Sequence, residues 1–333
     1  MTNSLRWGIL STARINRRII PCLKQASRSK IVAVASRDAH RADMYAQEWD
    51  IPKSFGSYDA LLSSPDIDAV YISLPNSLHV EWAIKAANHN KHVLCEKPLA
   101  LSVADVDAMA KASTDNQIVL VEALMYQMHP QVAKLKAVIE NGLIGKVSLI
   151  RANFSITLPD DSGNFRLDKN MGAGSLWDVG SYPVSFANGL VGEAPEKVIG
   201  FQQTNKDGVE ILIAGQLKYQ NGVMAQIDSS FRMPYRIGAE IIGENGVIRI
   251  PQPWQPNVDR RSGGLIHIAP DDSETLIETP PIDPYLCQIQ AVERAVFDGE
   301  AVPHTLEQSR HNIATINALY QSANQDKVVE VII

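Results

Sequence analysis

The chain has 333 residues, 45% of them hydrophobic and 20% charged, and a formal net charge of −6. That length points to two domains, and the acid excess leaves no electrostatic footprint for nucleic acid or an anionic membrane. No apolar run approaches a membrane span, and the first seven residues lack the basic and apolar regions of a secretory signal, so a cytoplasmic chain is expected.

Residues 6–10 read as a short buried strand, 15–25 as a helix, 30–35 as a strand and 39–49 as a helix. Strand, helix and strand within about thirty residues is the unit that binds dinucleotides. A strand at 68–73, a helix at 78–89, an apolar run at 93–95, a helix at 102–113 and a strand at 117–121 continue the alternation. The expected fold class is therefore α/β, beginning with a doubly wound parallel sheet. In such a sheet ligands bind beyond the carboxyl ends of the strands.

The turns at those ends carry the chemistry. After the first strand, the register of a glycine fingerprint falls on Ser11, Ala13 and Asn16. The helix N-terminus there still offers N–H groups to a pyrophosphate, although a turn without ligand explains the loop equally well. After the second strand come Ser36 and Arg37, with Arg41 one turn into the helix. A hydroxyl and planar guanidinium groups suit a 2′-phosphate, which favours NADP over NAD. Asp38 stands before the helix, as an N-cap does, or accepts from the ribose. Leu74-Pro75-Asn76 closes the third long strand, with His79 either at the helix start or lining the site. Glu96-Lys97-Pro98 follows the run 93–95; Lys97 is a general acid, a charge that lowers a neighbour's pKa, or half of a surface ion pair.

The second half reads differently. A helix at 131–140 ends at Asn141-Gly142, and 146–156 is a strand. The polar, glycine-bearing stretch 162–174 suits a mobile loop, with Arg166 and Asp168 as substrate contacts or merely solvated charges. A helical pattern from 175 puts Asp178 and Tyr182 on one face, four residues apart. Strands are expected at 197–205, 209–219, 223–231, 236–242 and 247–250, and Asn221-Gly222 and Asn245-Gly246 signal antiparallel hairpins. Helices at 284–298 and 306–324 and a strand at 327–332 are expected to pack on this sheet. A sheet so large needs cover on both faces, which suggests a homodimer or higher homo-oligomer. Cys22, Cys95 and Cys287 fit no zinc or disulfide spacing, so buried, inert thiols and no metal are expected.

Trp7-Gly8-Ile9-Leu10-Ser11-Thr12-Ala13-Arg14-Ile15, Pro75-Asn76-Ser77-Leu78-His79, Glu96-Lys97-Pro98, Gly172-Ala173-Gly174-Ser175-Leu176-Trp177-Asp178-Val179-Gly180-Ser181-Tyr182 and Gly243-Glu244-Asn245-Gly246-Val247-Ile248 together resemble the Gfo/Idh/MocA oxidoreductases. The branch they resemble holds dimeric dihydrodiol dehydrogenases and NADP-dependent xylose dehydrogenases. The resemblance implies a Rossmann domain over 1–122. Over 123–333 it implies a substrate-binding and oligomerisation domain with a large, mostly antiparallel open sheet. It makes Lys97 the catalytic lysine, Tyr182 the proton-transferring residue and Asp178 its support or a substrate ligand. Ser11, Thr12, Ala13, Arg14 and Ile15 would bind pyrophosphate, and Ser36, Arg37 and Arg41 the 2′-phosphate. Leu74, Pro75, Asn76 and His79 would line the nicotinamide and its ribose; Glu96 holds that ribose, holds Lys97 or does neither. Gln127 and Met125 depart from the branch, which often has arginine and an aromatic there, so Tyr126 and His129 are the substrate candidates in that segment. The implied reaction is hydride transfer between NADP(H) and a carbinol carbon of a sugar or polyol, such as xylose, glucose or an anhydrosugar. A trans-dihydrodiol dehydrogenase, a non-catalytic NADP(H) sensor and a Schiff-base lyase are the competing readings.

Overall fold

The computed structural model describes residues 4–159, 163–259 and 261–333. Residues 1–3 and Ser162, the first residue of the expected loop, lie outside the described residues. The chain divides into two compact units, Met1–Met128 with Asp283–Leu306, and His129–Ile282 with Glu307–Ile333.

The first unit runs β1 (Leu5–Leu10), α1 (Asn16–Gln25), β2 (Ser29–Ala35), α2 (Ala39–Trp49), β3 (Lys53–Phe55), α3 (Tyr58–Leu62), β4 (Ala69–Ile72), α4 (His79–Asn88), β5 (His92–Cys95), α5 (Val103–Asp115) and β6 (Leu120–Glu122). Among the described residues these strands form one six-stranded sheet in the order β3-β2-β1-β4-β5-β6, every pair parallel. Every residue of β4 is buried. Successive strand side chains point to opposite faces, so this sheet is covered on both sides, and that is why its strands read as unbroken apolar runs. Local capping sets the helix starts: Asp38, Ser57 and Ser102 accept from the N–H groups of Arg41, Ala60 and Asp105. The strand order reverses beside β1, between β2 and β4, which makes the carboxyl ends of β1 and β4 the ligand crevice of this architecture. β3 and α3 were not expected, because elements so short show no period.

The second unit holds α6 (Pro130–Glu140), β7 (Val147–Thr157), α7 (Ser175–Asp178), α8 (Ser181–Val191), β8 (Lys197–Thr204), β9 (Glu210–Lys218), β10 (Met224–Ser230), β11 (Arg232–Gly243), β12 (Gly246–Ile250), β13 (Leu265–Ile268) and β14 (Glu274–Ile277). After α9 (Pro284–Asp298), which belongs to the first unit, it resumes with α10 (Leu306–Gln325) and β15 (Val329–Glu330). The described strands make a nine-stranded sheet, β14-β13-β12-β11-β7-β10-β9-β8-β15, antiparallel except for β7 beside β10. One face carries α8 and α10: α8 packs on β7 and β10, and Leu319 of α10 lies against Gly200 and Gly215. On this sheet Phe201, Met224, Tyr235 and Leu276 are exposed.

Two expectations differ from this arrangement. The expected division after residue 122 contrasts with a first unit that extends to Met128 and reclaims 283–306. The helix expected to cover the large sheet, now α9, packs instead on α1. Arg28 grips Asp298 with both terminal guanidinium nitrogens (2.6 and 3.0 Å), and the Ser29 hydroxyl donates to Glu293 at 2.7 Å. An apolar stripe announces that a helix will be buried but not which surface receives it.

Candidate functional site

Loops after β1, β2, β4 and β5 share one edge of the parallel sheet, since all its strands point the same way. After β1, Ser11 holds φ at 100°, a region where glycine is the easy residue. Its hydroxyl donates to the Ser73 carbonyl (2.9 Å) and accepts from the Ala13 N–H (3.2 Å). Asn16 closes the network, donating to the Ser11 carbonyl (2.9 Å) and accepting from the Ser73 hydroxyl (2.7 Å). The first N–H groups of α1 bond back to the carbonyls of Ala13, Arg14 and Ile15. Among the described residues the peptide N–H groups of Thr12, Arg14 and Ile15 have no partner. Thr12, Ala13 and Arg14 line a concavity of about 570 Å³ with Arg17, Arg41, Tyr45 and Glu48. Arg17, absent from the sequence candidates, is tied to Glu48 at 3.3 Å.

After β2, Ser36 is buried and its hydroxyl accepts from the Asp38 N–H at 3.3 Å. Asp38 is the N-cap of α2, accepting from the Arg41 N–H at 3.1 Å. Arg37 and Arg41 are exposed. Burial pushes the Tyr58 phenol up, and the charges of both guanidinium groups pull it down.

After β4, Leu74 and Asn76 are buried and Pro75 is extended, at φ −58° and ψ 149°. His79 corrects an expectation. It is fully buried, with Nδ1 at 2.8 Å from the Pro98 carbonyl and Nε2 at 2.9 Å from the Leu74 carbonyl. It therefore lines no cofactor surface but joins the loop after β4 to the loop after β5. Burial lowers its pKa, against the pull of the two carbonyls.

After β5, Glu96 and Lys97 are half-buried between the buried Cys95 and Pro98. The Tyr71 hydroxyl, absent from the sequence candidates, donates to Glu96 Oε1 at 2.5 Å. Tyr126, a substrate candidate, is fully buried and its hydroxyl accepts from the Gln127 amide at 2.7 Å, so it presents no surface. The cysteines are buried and unpaired; burial drives Cys22 up to about 12 and Cys287 up to about 11, leaving no thiolate at neutral pH. Among the described residues no group of three or more His, Cys, Asp or Glu is arranged to hold a metal.

In the second unit, Tyr182 lies in the first turn of α8, 6% exposed. Its ring packs on Phe154 (centroids 5.3 Å, 63° apart) and on Trp254 (5.9 Å, 47°). Neither aromatic was a sequence candidate, because their approach joins β7 and the 250s to α8. Asp178 ends α7, and its carboxylate accepts from Arg166 Nε at 2.6 Å. A candidate from the polar stretch and one from the helical pattern are thus brought together, with the Arg166 guanidinium also over the Phe165 ring at 4.7 Å. The single helix expected from 175 is two: Val179 and Gly180 keep a helical backbone while the ladder breaks. Buried Glu210 holds the start of α7, accepting from the Ser175 hydroxyl (2.6 Å) and the Leu176 N–H (2.8 Å). Asp168 is exposed and caps the short turn that follows it, accepting from the Asn170 N–H at 3.0 Å. His129 corrects another expectation. It is 1% exposed, caps α6 through Nδ1, and places Nε2 at 3.0 Å from the Ile282 carbonyl.

Residues 5–123 match the family model described as an oxidoreductase family with an NAD-binding Rossmann fold, and 132–249 match the GFO/IDH/MocA C-terminal domain. The chain belongs to the GFO/IDH/MocA oxidoreductase family. It is 36% identical to D-xylose 1-dehydrogenase (NADP(+)) 2 of Haloferax volcanii, over 98% of this chain and 99% of that one. It is 33% identical to trans-1,2-dihydrobenzene-1,2-diol dehydrogenase of Xenopus laevis, over 75% of this chain and 77% of the other. Among solved structures, a 3-ketoreductase from Actinomadura kijaniata in complex with NADP and TDP-benzene superposes with a TM-score of 0.89 at 27% identity. That match covers 96% of this chain and 98% of that one. Both enzyme types of the branch that the sequence motifs resembled stand among these family members.

Proposed function

We propose that this family member is an NADP(H)-dependent dehydrogenase acting on a carbinol carbon of a sugar or related polyol. The observation that carries this reading is one edge of the parallel sheet. It bears unpartnered N–H groups after β1, two exposed arginines after β2 and a half-buried lysine after β5. These residues fit NADP: the N–H groups suit its pyrophosphate, and Arg37 with Arg41 suits its 2′-phosphate. NAD, lacking that phosphate, fits less well.

When bound, the nicotinamide supplies the hydride acceptor or donor. Tyr182 takes the carbinol proton during oxidation. A free phenol, with a pKa of about 10, is a poor base at neutral pH. The Lys97 ammonium supplies the positive charge that favours the phenolate. Asp178, fixed by Arg166, orients the substrate. Lys97→Met and Tyr182→Phe are each expected to cut turnover by ~10²-fold or more, with NADPH binding kept in fluorescence titration. Near-wild-type turnover in either would sink these roles.

The name of the Haloferax volcanii relative supports an aldose such as xylose; glucose or an anhydrosugar would present the same carbinol chemistry. A trans-dihydrodiol is the second reading, supported by the Xenopus laevis relative. A panel of aldoses, inositols and diols with NADP, repeated with NAD, separates them. Tight NADPH binding without turnover across the panel would leave a non-catalytic sensor, and borohydride trapping of a Schiff base would point to a lyase. A homodimer through the sheet face of the second unit goes with this reading. That face bears a concavity of about 930 Å³ whose lining mixes apolar residues such as Phe201 and Ile237 with charged ones such as Arg151 and Arg236, a composition that suits contact with a second copy. A monomer at micromolar concentration by sedimentation velocity would remove the dimer.

A further inference from the structure

The loop that carries Lys97 has a support that the proposed chemistry does not use. β5 ends at Cys95, level with Glu122 at the end of β6. Beyond that point the loop has peptide groups to satisfy away from water, and each needs a partner. The Leu99 N–H finds a side chain: it donates to Glu122 Oε1 at 2.9 Å. The other carboxylate oxygen of Glu122 lies 3.0 Å from His304 Nε2, and both side chains are at most 3% exposed. From another side, the Pro98 carbonyl meets His79 Nδ1 at 2.8 Å. Residues 98 and 99 are therefore fastened through one carbonyl and one N–H, and half-buried Lys97 stands immediately before them.

We propose that Glu122, oriented by His304, is a positioning residue for Lys97. Burying a carboxylate and an imidazole is expensive, and apolar side chains of similar size would fill the same volume at lower cost. What apolar residues cannot do is fix a backbone N–H in direction. Catalytic groups must be held within roughly 0.5 Å of their productive place, and a displacement of about 1 Å costs on the order of 10²-fold in rate. His304 does the same for Glu122, holding one oxygen so that the other faces Leu99. It lies in the connection between α9 and α10, so a segment remote in sequence secures the lysine loop. Glu122 presents no surface to substrate, and its effect passes through the loop backbone.

This inference rests on the catalytic reading of Lys97, and the test separates the two. Glu122→Ala is expected to lower kcat by about 10- to 100-fold, with KM for NADP within about twofold. Glu122→Gln keeps an acceptor for the Leu99 N–H and a partner for His304, and should recover most of the loss. In a double-mutant cycle, adding Glu122→Ala to Lys97→Met should slow the enzyme no further, because the two act as one unit. A folded Glu122→Ala with kcat within about twofold of wild type would overturn the inference, as would losses that multiply in the cycle or a Gln variant as slow as Ala. Should Glu122→Ala not fold, His304→Ala replaces it in the same cycle, with an expected loss of about tenfold; unchanged kcat there is equally fatal. Full turnover in Lys97→Met alone removes the lysine reading and this inference with it. An inactive Lys97→Met beside an unimpaired Glu122→Ala removes only this inference.

Discussion

Ser11 holds its positive φ without being glycine, and its hydroxyl compensates through bonds to Ser73 and Ala13. A left-handed backbone costs a residue with Cβ about 1–2 kcal/mol, and each hydroxyl bond returns about 0.5–1.5 kcal/mol. Ser11→Ala keeps the strain and loses the bonds, so it should destabilise by about 1–3 kcal/mol. Ser11→Gly loses the bonds but also the strain, and should fall between Ala and wild type in urea unfolding. Ser11→Ala matching wild type would show that the hydroxyl contributes nothing. Asp68 gives a pH prediction. Burial alone would raise its pKa, but bonds and charge from Arg6 outweigh that and hold it below its ordinary value. A depressed carboxylate pKa stabilises the fold above the unfolded value and loses that contribution as pH falls through the folded one. Asp68→Asn should therefore flatten the loss of stability below about pH 4, read as thermal midpoint against pH. At this scale the sequence was partly legible. Asp38 could be read as a cap because its partner is three residues away, whereas burial of Tyr126, His129 and His79 depends on segments the local sequence does not specify.

α7 and α8 show what an element adds. The spacing of Asp178 and Tyr182 announced a common helical face, and the backbone stays helical through the break. Gly180 accounts for the close approach there. A Cβ would come within 2.6 Å of Leu176 Cα and 2.7 Å of the Ser229 hydroxyl, although φ is an ordinary −72°. The requirement is space, not conformational freedom. Gly180→Ala should cost about 1–3 kcal/mol, as overpacking does, and lower kcat by moving Tyr182. An unchanged urea midpoint would mean that the neighbours yield freely. Arg37 precedes α2 and Arg41 lies in its first turn, both exposed, so Arg37→Ala and Arg41→Ala should each raise KM for NADP by roughly 10- to 100-fold, the scale of a charged hydrogen bond. KM for NAD should stay put; an equal rise with both cofactors would remove the 2′-phosphate assignment. The Asn-Gly pairs signalled the turns from β9 to β10 and from β11 to β12 in advance, because a tight turn is local chemistry, although the first loop has three residues, Gln220 to Gly222, and in the second Gly246 already pairs with Gly243. β13 and β14 escaped notice, being four residues each and mostly outside the core.

For the whole molecule, strand–helix alternation followed by hairpins was enough to expect a parallel sheet and then an antiparallel one. The path of the chain after residue 282 was not readable. α9 returns to the first unit, where Arg28 and Ser29 grip Asp298 and Glu293 more than 260 residues away. By itself the sequence determined the classes of element, their order, the caps, the tight turns and the set of motifs that marks the family. All of these arise from contacts within a few residues, or from the period of apolar side chains. Only the tertiary structure decided which polar residues are buried and whom they meet: His79 with two carbonyls, Arg166 with Asp178, Glu122 with Leu99 and His304. Those choices depend on segments far apart in sequence and on the cost of burying a polar group without a partner. Lys97 was visible from the motif it stands in, but the side chains that hold its loop are visible only in the folded chain.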